Sequence, residues 1–115
     1  MMYDPDKWVV FKIVEDGQEP LYKIFATWYG GYTHGDSWKL NSGVTEIETD
    51  GDFFLFKGYS GSTYRCHTDS YGMSGYSSGV AHSLIDDVKD MPNVTVKILE
   101  QDSPEYNAFF EKFAK

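Results

Sequence analysis

The 115-residue sequence has little of what would narrow its role quickly. It contains one cysteine, Cys66, so no disulfide can form within the chain, and the paired-cysteine spacing that announces structural zinc is missing. Basic residues are scarce: 10 lysines and arginines face 18 acids, giving a net charge of −8 with both halves of the chain negative. Duplex nucleic acid and anionic membrane both call for clustered positive charge, so nucleic-acid binding and membrane docking are disfavoured. An acidic chain can still bind a basic protein, although solubility through self-repulsion is the plainer account of the charge. No apolar run is long enough to span a bilayer. The opening MMYDPDKWVV also lacks the basic region and apolar stretch of a secretory signal. These absences give the expectation of a cytoplasmic protein in a reducing compartment.

What is present is aromatic. A hydrophobic content of 41%, with 17% aromatic, exceeds what a disordered chain carries, so the sequence should fold. Its length suits a single domain over residues 1–115, with Trp8, Phe11, Phe25, Phe53 and Phe110 as candidate core rings.

Period-two patterning dominates the first two thirds. Trp8 to Val14 and Leu21 to Tyr29 are β-branched and aromatic runs separated by the turn-forming EDGQEP, which reads as a hairpin. Val9, Phe11 and Ile13 share one side of the first run, and Tyr22, Ile24, Ala26 and Trp28 share one side of the second; one face of the sheet is expected to be buried. A short extended piece follows at Ser37 to Leu40. Val44 to Thr49 and Phe53 to Lys57 flank Asp50-Gly51, a dipeptide suited to a tight hairpin turn. Ser62 to His67 alternates Tyr64 and Cys66 on one side with Thr63, Arg65 and His67 on the other.

From Ser77 the period changes to helical, with Val80, Ala81, Leu84, Ile85 and Val88 on one side and Ser77 or Ser78 as the expected cap. Val94 to Leu99 alternates as a further strand. Ser103-Pro104-Glu105 then supplies a cap, a tolerated proline and a dipole-compatible acid for a last helix, whose Tyr106, Phe109, Phe110 and Phe113 form a stripe expected to lie across the sheet. The expected class is α+β: a mainly antiparallel sheet of about six or seven strands, open to barrel-like curling, with two helices from the C-terminal half on one face.

The most unusual segment is GYSGSTYRCHTDSYGMSGYSSG, from Gly58 to Gly79. Glycine, serine and tyrosine are the mix that binding loops favour. Tyr29, Tyr32, Tyr59, Tyr71 and Tyr76, with Trp28 and Trp38, lie in or beside loops and could anchor a partner, or could simply cover the sheet edge. Cys66 with His34 or His82 could form a nucleophilic dyad, since a neighbouring base generates the attacking thiolate. The plainer account of Cys66 is a small buried hydrophobe. His67 would point away from it. A turn at residues 77–79, ahead of a helix, could offer amides to an anion, but it lacks the lysine of a phosphate loop.

The run from Trp28 to Val80, and in particular its GDSWKLNSG and YRCH, resembles small uncharacterised proteins of tailed phages infecting marine cyanobacteria. The resemblance implies no activity, cofactor or catalytic residue. It implies a phage accessory protein that acts in the cytoplasm of the infected cell by binding host or phage proteins.

The sequence therefore favours a small acidic, non-enzymatic protein-interaction module of phage type, presenting Tyr29, Tyr32, Trp38, Tyr59, Tyr71 and Tyr76 to a protein partner or to its own copy. No cofactor and no metal are expected. The alternative is a small enzyme or ligand-binding protein that uses Cys66 with His34 or His82, or an anion-binding turn at 77–79.

Overall fold

In the computed structural model, which describes residues 1–30 and 35–115, the chain runs β1 (Met2–Tyr3), β2 (Lys7–Glu15), β3 (Leu21–Trp28), β4 (Ser37–Leu40), β5 (Val44–Asp50), β6 (Phe53–Gly58), β7 (Thr63–His67), α1 (Gly75–Val88), β8 (Val94–Ile98) and α2 (Pro104–Phe113). The strands form two four-stranded sheets, ordered β1-β7-β6-β5 and β4-β3-β2-β8. Every strand pairing is antiparallel except that of β1 with β7. The α+β class holds, but the single sheet of the sequence reading is replaced by two sheets, and neither closes into a barrel.

The reason lies in the β2–β3 hairpin, which is apolar on both sides. Trp8 pairs with Ala26 and Val10 with Ile24, so these four side chains share one face of the second sheet; Val9 and Phe25, also paired, share the other with Phe11. All seven are buried. A hairpin of this kind leaves water only when both faces are covered, and burying each large side chain is worth about 1.5–3 kcal/mol. The first sheet covers the Trp8 face with Val44, Ile47, Phe56, Tyr64 and Cys66. Helix α1 covers the Val9 face with Ala81, Val80 and Leu84. Helix α2 joins the Trp8 side, where the Phe109 ring centroid lies 4.9 Å from Tyr22 of the second sheet and 6.1 Å from Phe56 of the first. The two helices thus lie on opposite sides of the second sheet. The one-face expectation fails because adjacent residues of β2 and β3 are apolar alike.

Local signals account for the element ends. The β5–β6 hairpin turns on Gly51 and Asp52, one residue later than Asp50-Gly51, because Asp50 pairs with Phe53 and Gly51 takes the positive φ of 61° at the first central position. Ser103 caps α2 by accepting from the Tyr106 N–H at 3.2 Å, with Pro104 at the first helical position. Helix α1 is capped earlier than expected. Ser74 accepts from the Ser77 N–H while the Ser77 hydroxyl accepts from the Ser74 N–H at 2.7 Å, a reciprocal box that starts the helix at Gly75. Phe53 also differs from expectation: it faces away from the core, under the Arg65 guanidinium at 4.9 Å and edge-on to His67 at 5.1 Å.

The outer side of β2 is completed by two different segments. From Phe11 to Glu15 it pairs with β8, and Leu99 N–H donates to the Val10 carbonyl at 2.9 Å. At Trp8 the neighbour is instead the segment after β7: Trp8 N–H donates to Ser70 O at 3.3 Å, and Gly72 N–H donates to Trp8 O at 2.9 Å. The join is filled by one phenol. The Tyr71 hydroxyl accepts from Val10 N–H at 3.1 Å and donates to the Leu99 carbonyl at 2.5 Å. Two backbone groups in the interior thereby keep their partners.

Lys12 and Lys97 are paired across β2 and β8, two like charges side by side. Glu105, in the first turn of α2, resolves the conflict: one carboxylate oxygen accepts from Lys12 Nζ at 3.0 Å and the other from Lys97. Hydrogen bonds, from Lys97 first and Lys12 second, hold the Glu105 carboxyl below its ordinary value of 4.5. A carboxyl whose folded pKa is depressed stabilises the fold fully above its unfolded pKa, and that contribution is lost as the pH falls through the folded value. The melting temperature should therefore drop as the pH falls below 4.5. Thermal unfolding of Glu105→Gln, which cannot titrate there, should show a shallower acid slope; an identical slope would dismiss the contribution.

Candidate functional site

Four of the sequence-selected aromatic rings reach solvent: Tyr29 is 50% exposed, Trp38 39%, Tyr59 72% and Tyr76 42%. Trp38 and Tyr76 stand on regular elements, and Tyr29 and Tyr59 in the segments that directly follow β3 and β6. Trp38 sits on β4, the outermost strand of the second sheet, opposite Thr27, and its ring leans on buried Phe25 at 5.6 Å. Tyr29 directly follows β3, with its N–H donating to the Asp6 carboxylate at 2.8 Å. Tyr76 is the second residue of α1, the helix covering the face of the second sheet on which Trp38 lies. Tyr59 stands in the β6–β7 turn, where Ser60 N–H donates to the Ser42 hydroxyl at 2.9 Å. Its ring lies flat enough on Gly43 that a Cβ there would come within 2.9 Å of it; Gly43 also has a φ of 128°, so only glycine suits the position. The exposed tyrosine is thus fixed from below.

Tyr71 is not presented. Its ring is wedged edge-on against Trp8 at 4.7 Å and Tyr106 at 5.2 Å, and its hydroxyl is consumed by Val10 and Leu99. Burial pushes its phenol pKa well up. Sequence reasoning grouped it with the loop tyrosines because its neighbours Ser70 and Gly72 are loop residues; the bridge to β2 leaves no local trace. Tyr32 and His34 lie outside the described residues.

The remaining chemical candidates are kept apart. Cys66 and Tyr64 do point to one side of β7 and Arg65 and His67 to the other, and that side is the core: Cys66 is fully buried. Burial, with a smaller push from Asp4, raises the Cys66 thiol well above its ordinary value, the reverse of what an attacking thiolate needs. His82 is exposed on α1, its Nδ1 2.7 Å from the Ser78 carbonyl, and the second sheet stands between it and Cys66. His67 packs on Phe53, and its Nδ1 accepts from Asp69 N–H at 3.0 Å. A thiol-directed reagent should leave Cys66 unmodified in the native protein and label it fully in denaturant; rapid native labelling would contradict this burial. Residues 77–79 are not a turn but the first helical turns of α1, where the Ser77 and Ser78 N–H groups already donate to Ser74. Among the described residues, no cluster of three or more His, Cys, Asp or Glu is placed to hold a metal ion, and no helix is long and apolar enough to cross a membrane.

One feature of the surface escaped the sequence reading. Between the β5–β6 hairpin and α2 lies an open cleft of about 850 Å³, lined by Ile47, Phe54, Phe110 and Ala114 with Glu48 and Glu111 at its rim. Phe110 belongs to the stripe that marks α2 as core-facing; nothing in the local pattern says that the stripe overhangs the hairpin. Comparison with protein families, with curated proteins and with solved structures finds no match to this chain.

Proposed function

We propose that the chain is a small acidic, non-enzymatic interaction module, a phage-type accessory protein that acts in the cytoplasm of an infected cell by binding a protein partner or a second copy of itself. Trp38 carries the reading: a large ring more than a third exposed, on a short strand that pairs on one side only with β3 among the described residues, and braced from beneath by Phe25. Tyr29 and Tyr76 flank the same sheet, and Tyr59 extends the aromatic set to the β6–β7 turn. Rigid aromatic rings lose little side-chain entropy on contact, and they concentrate binding energy when they pack into a partner's pocket. The net charge of −8 fits a protein partner better than nucleic acid or an anionic membrane. The buried Cys66 thiol, with the second sheet between it and His82, speaks against the Cys66–His82 form of the enzymatic alternative.

The test is affinity capture from the native cell with quantitative mass spectrometry, together with sedimentation analysis for self-association. The triple substitution Tyr29→Ala, Trp38→Ala and Tyr76→Ala touches no buried hydrogen bond, so its melting temperature should stay within a few degrees of the parent. It should nevertheless lose the captured partner or the self-association. An unchanged partner set and unchanged sedimentation in a folded triple variant would refute the proposal.

A further inference from the structure

The second sheet ends at β8, where Val96 and Ile98 turn half-buried toward α1 while Thr95 and Lys97 turn to the other side and are exposed. Its backbone alternates as well. Leu99 N–H donates to the Val10 carbonyl and Asp16 N–H donates to the Asn93 carbonyl, so in this antiparallel register Asn93, Thr95, Lys97 and Leu99 aim their N–H and C=O groups at β2. Those of Val94, Val96 and Ile98 point away from the sheet, and no segment pairs with them among the described residues. Met1 and Lys115 both lie against the first sheet, beside Thr63 and Ile47. An edge lysine ordinarily discourages strand addition, but the Lys97 ammonium is drawn aside to Glu105, in the first turn of α2.

We infer that β8 is a docking edge for β8 of a second copy of this chain, the two strands pairing antiparallel about a two-fold axis at Val96. The occupant follows from self-complementarity. A two-fold contact sets residue i against j and j against i, and the register centred on Val96 is the one in which every outward residue finds a partner: Val96 with Val96, Val94 with Ile98 and Ile98 with Val94, each donating and accepting. Lys97 then lies opposite Thr95 of the second copy. Centring the contact on Lys97 sets two like charges face to face, and centring it on Thr95 leaves Ile98 without a strand residue opposite. On the α1 side, the half-buried Val94, Val96 and Ile98 of the two copies cover one another across the seam. The second sheet runs on through the axis, while β4, with Trp38, stays at its far edge. This contact is therefore separate from the aromatic surface and does not depend on it. The net charge of −8 opposes association, so the dimer forms best where salt screens that repulsion.

The test is sedimentation equilibrium of the 115-residue chain, which should show a monomer–dimer equilibrium whose dissociation constant falls severalfold from low to high salt. Two substitutions at exposed Thr95, compared at one salt concentration, probe the register. Thr95→Lys sets a lysine opposite Lys97 of the other copy at both symmetric positions and should weaken the dimer severalfold; Thr95→Glu should strengthen it severalfold. General charge repulsion predicts the reverse order, since the lysine lowers the net negative charge and the glutamate raises it. Val96→Pro, which removes the outward N–H at the axis, should abolish the dimer. Should that variant fail to fold, the Thr95 pair and a concentration-dependent slowing of amide exchange at Val94, Val96 and Ile98 carry the test. The Tyr29, Trp38 and Tyr76 triple variant should keep this dimer even where it loses a captured partner. A chain still monomeric at millimolar concentration in high salt, Thr95 variants that are indistinguishable or in reversed order, or growth past the dimer would each overturn the assignment. So would a dimer lost in the aromatic triple variant, which would place self-association on the aromatic surface instead.

Discussion

Trp8→Ala is expected to cost about 4–5 kcal/mol, nearly the whole stability of a domain at the low end of the ordinary range of about 5–15 kcal/mol. Trp8 is fully buried between the sheets, with ring centroids of Tyr71, Phe56 and Phe54 at 4.7, 5.1 and 6.0 Å. Its Nε1–H also donates to the His67 carbonyl at 2.8 Å, which ties the second sheet to the end of β7. Alanine would leave a large cavity and a carbonyl without its donor. Trp8→Phe keeps most of the ring and loses the donor, so it should cost less, about 1–3 kcal/mol. Urea unfolding followed by far-ultraviolet circular dichroism separates the two: the alanine chain should lack a cooperative transition or show a greatly lowered midpoint. A midpoint within a few tenths molar of the parent would exclude Trp8 as the centre of the core.

Tyr71→Ala is expected to be nearly as damaging, at about 3–5 kcal/mol, for a reason that burial alone does not supply. Its hydroxyl stands in the β2 ladder where β8 gives way to the Ser70–Gly72 segment. Removing it orphans the Val10 N–H and the Leu99 carbonyl, both on buried residues. Tyr71→Phe isolates this contribution, because the ring contacts with Trp8 and Tyr106 survive while both hydrogen bonds go; about 2–3 kcal/mol should be lost. The readout is the urea midpoint at unchanged m-value. A phenylalanine variant as stable as the parent would show that the join needs no partner there. The same geometry removes Tyr71 from any set of partner-contacting tyrosines.

Much of the local structure was legible in the sequence. The β2–β3 hairpin, β4, the β5–β6 hairpin, β7, β8 and both helices are found close to the expected residues, because period-two alternation, turn glycines and the Ser103-Pro104 start are local signals. Strand β1 was not, since Met2 and Tyr3 are extended through parallel pairing with Thr63 and Tyr64 rather than by anything in their own neighbourhood. The start of α1 was readable in principle. Ser74 and Ser77 have the spacing of a capping box, but the glycines at 75 and 79 suggest a loop until the reciprocal hydrogen bonds are seen. The division into two sheets depends on which strands pair across the molecule, as do the placement of the helices and the cleft beside α2, and no local pattern encodes that. Of the candidate site residues, the exposure of Tyr29, Trp38 and Tyr59 agrees with their loop and edge positions and that of Tyr76 with the first turn of α1, whereas Tyr71 is partly buried by the rings of Trp8 and Tyr106 and by hydrogen bonds to Val10 and Leu99.

The shared edge of β2 also bears on how the chain reaches this structure. Val10 is bound to Tyr71 across 61 residues of sequence, and Lys12 to Glu105 across 93. An early strand whose partners are so distant must wait for large loops to close before its edge is rewarded, and folding slows as the mean sequence separation of native contacts rises. Until Tyr71 and Leu99 arrive, β2 presents an apolar strand with an open edge, the kind of template on which chains pair wrongly. Dilute refolding should therefore outperform concentrated refolding for this protein, and the segment most exposed to misassembly is its central strand.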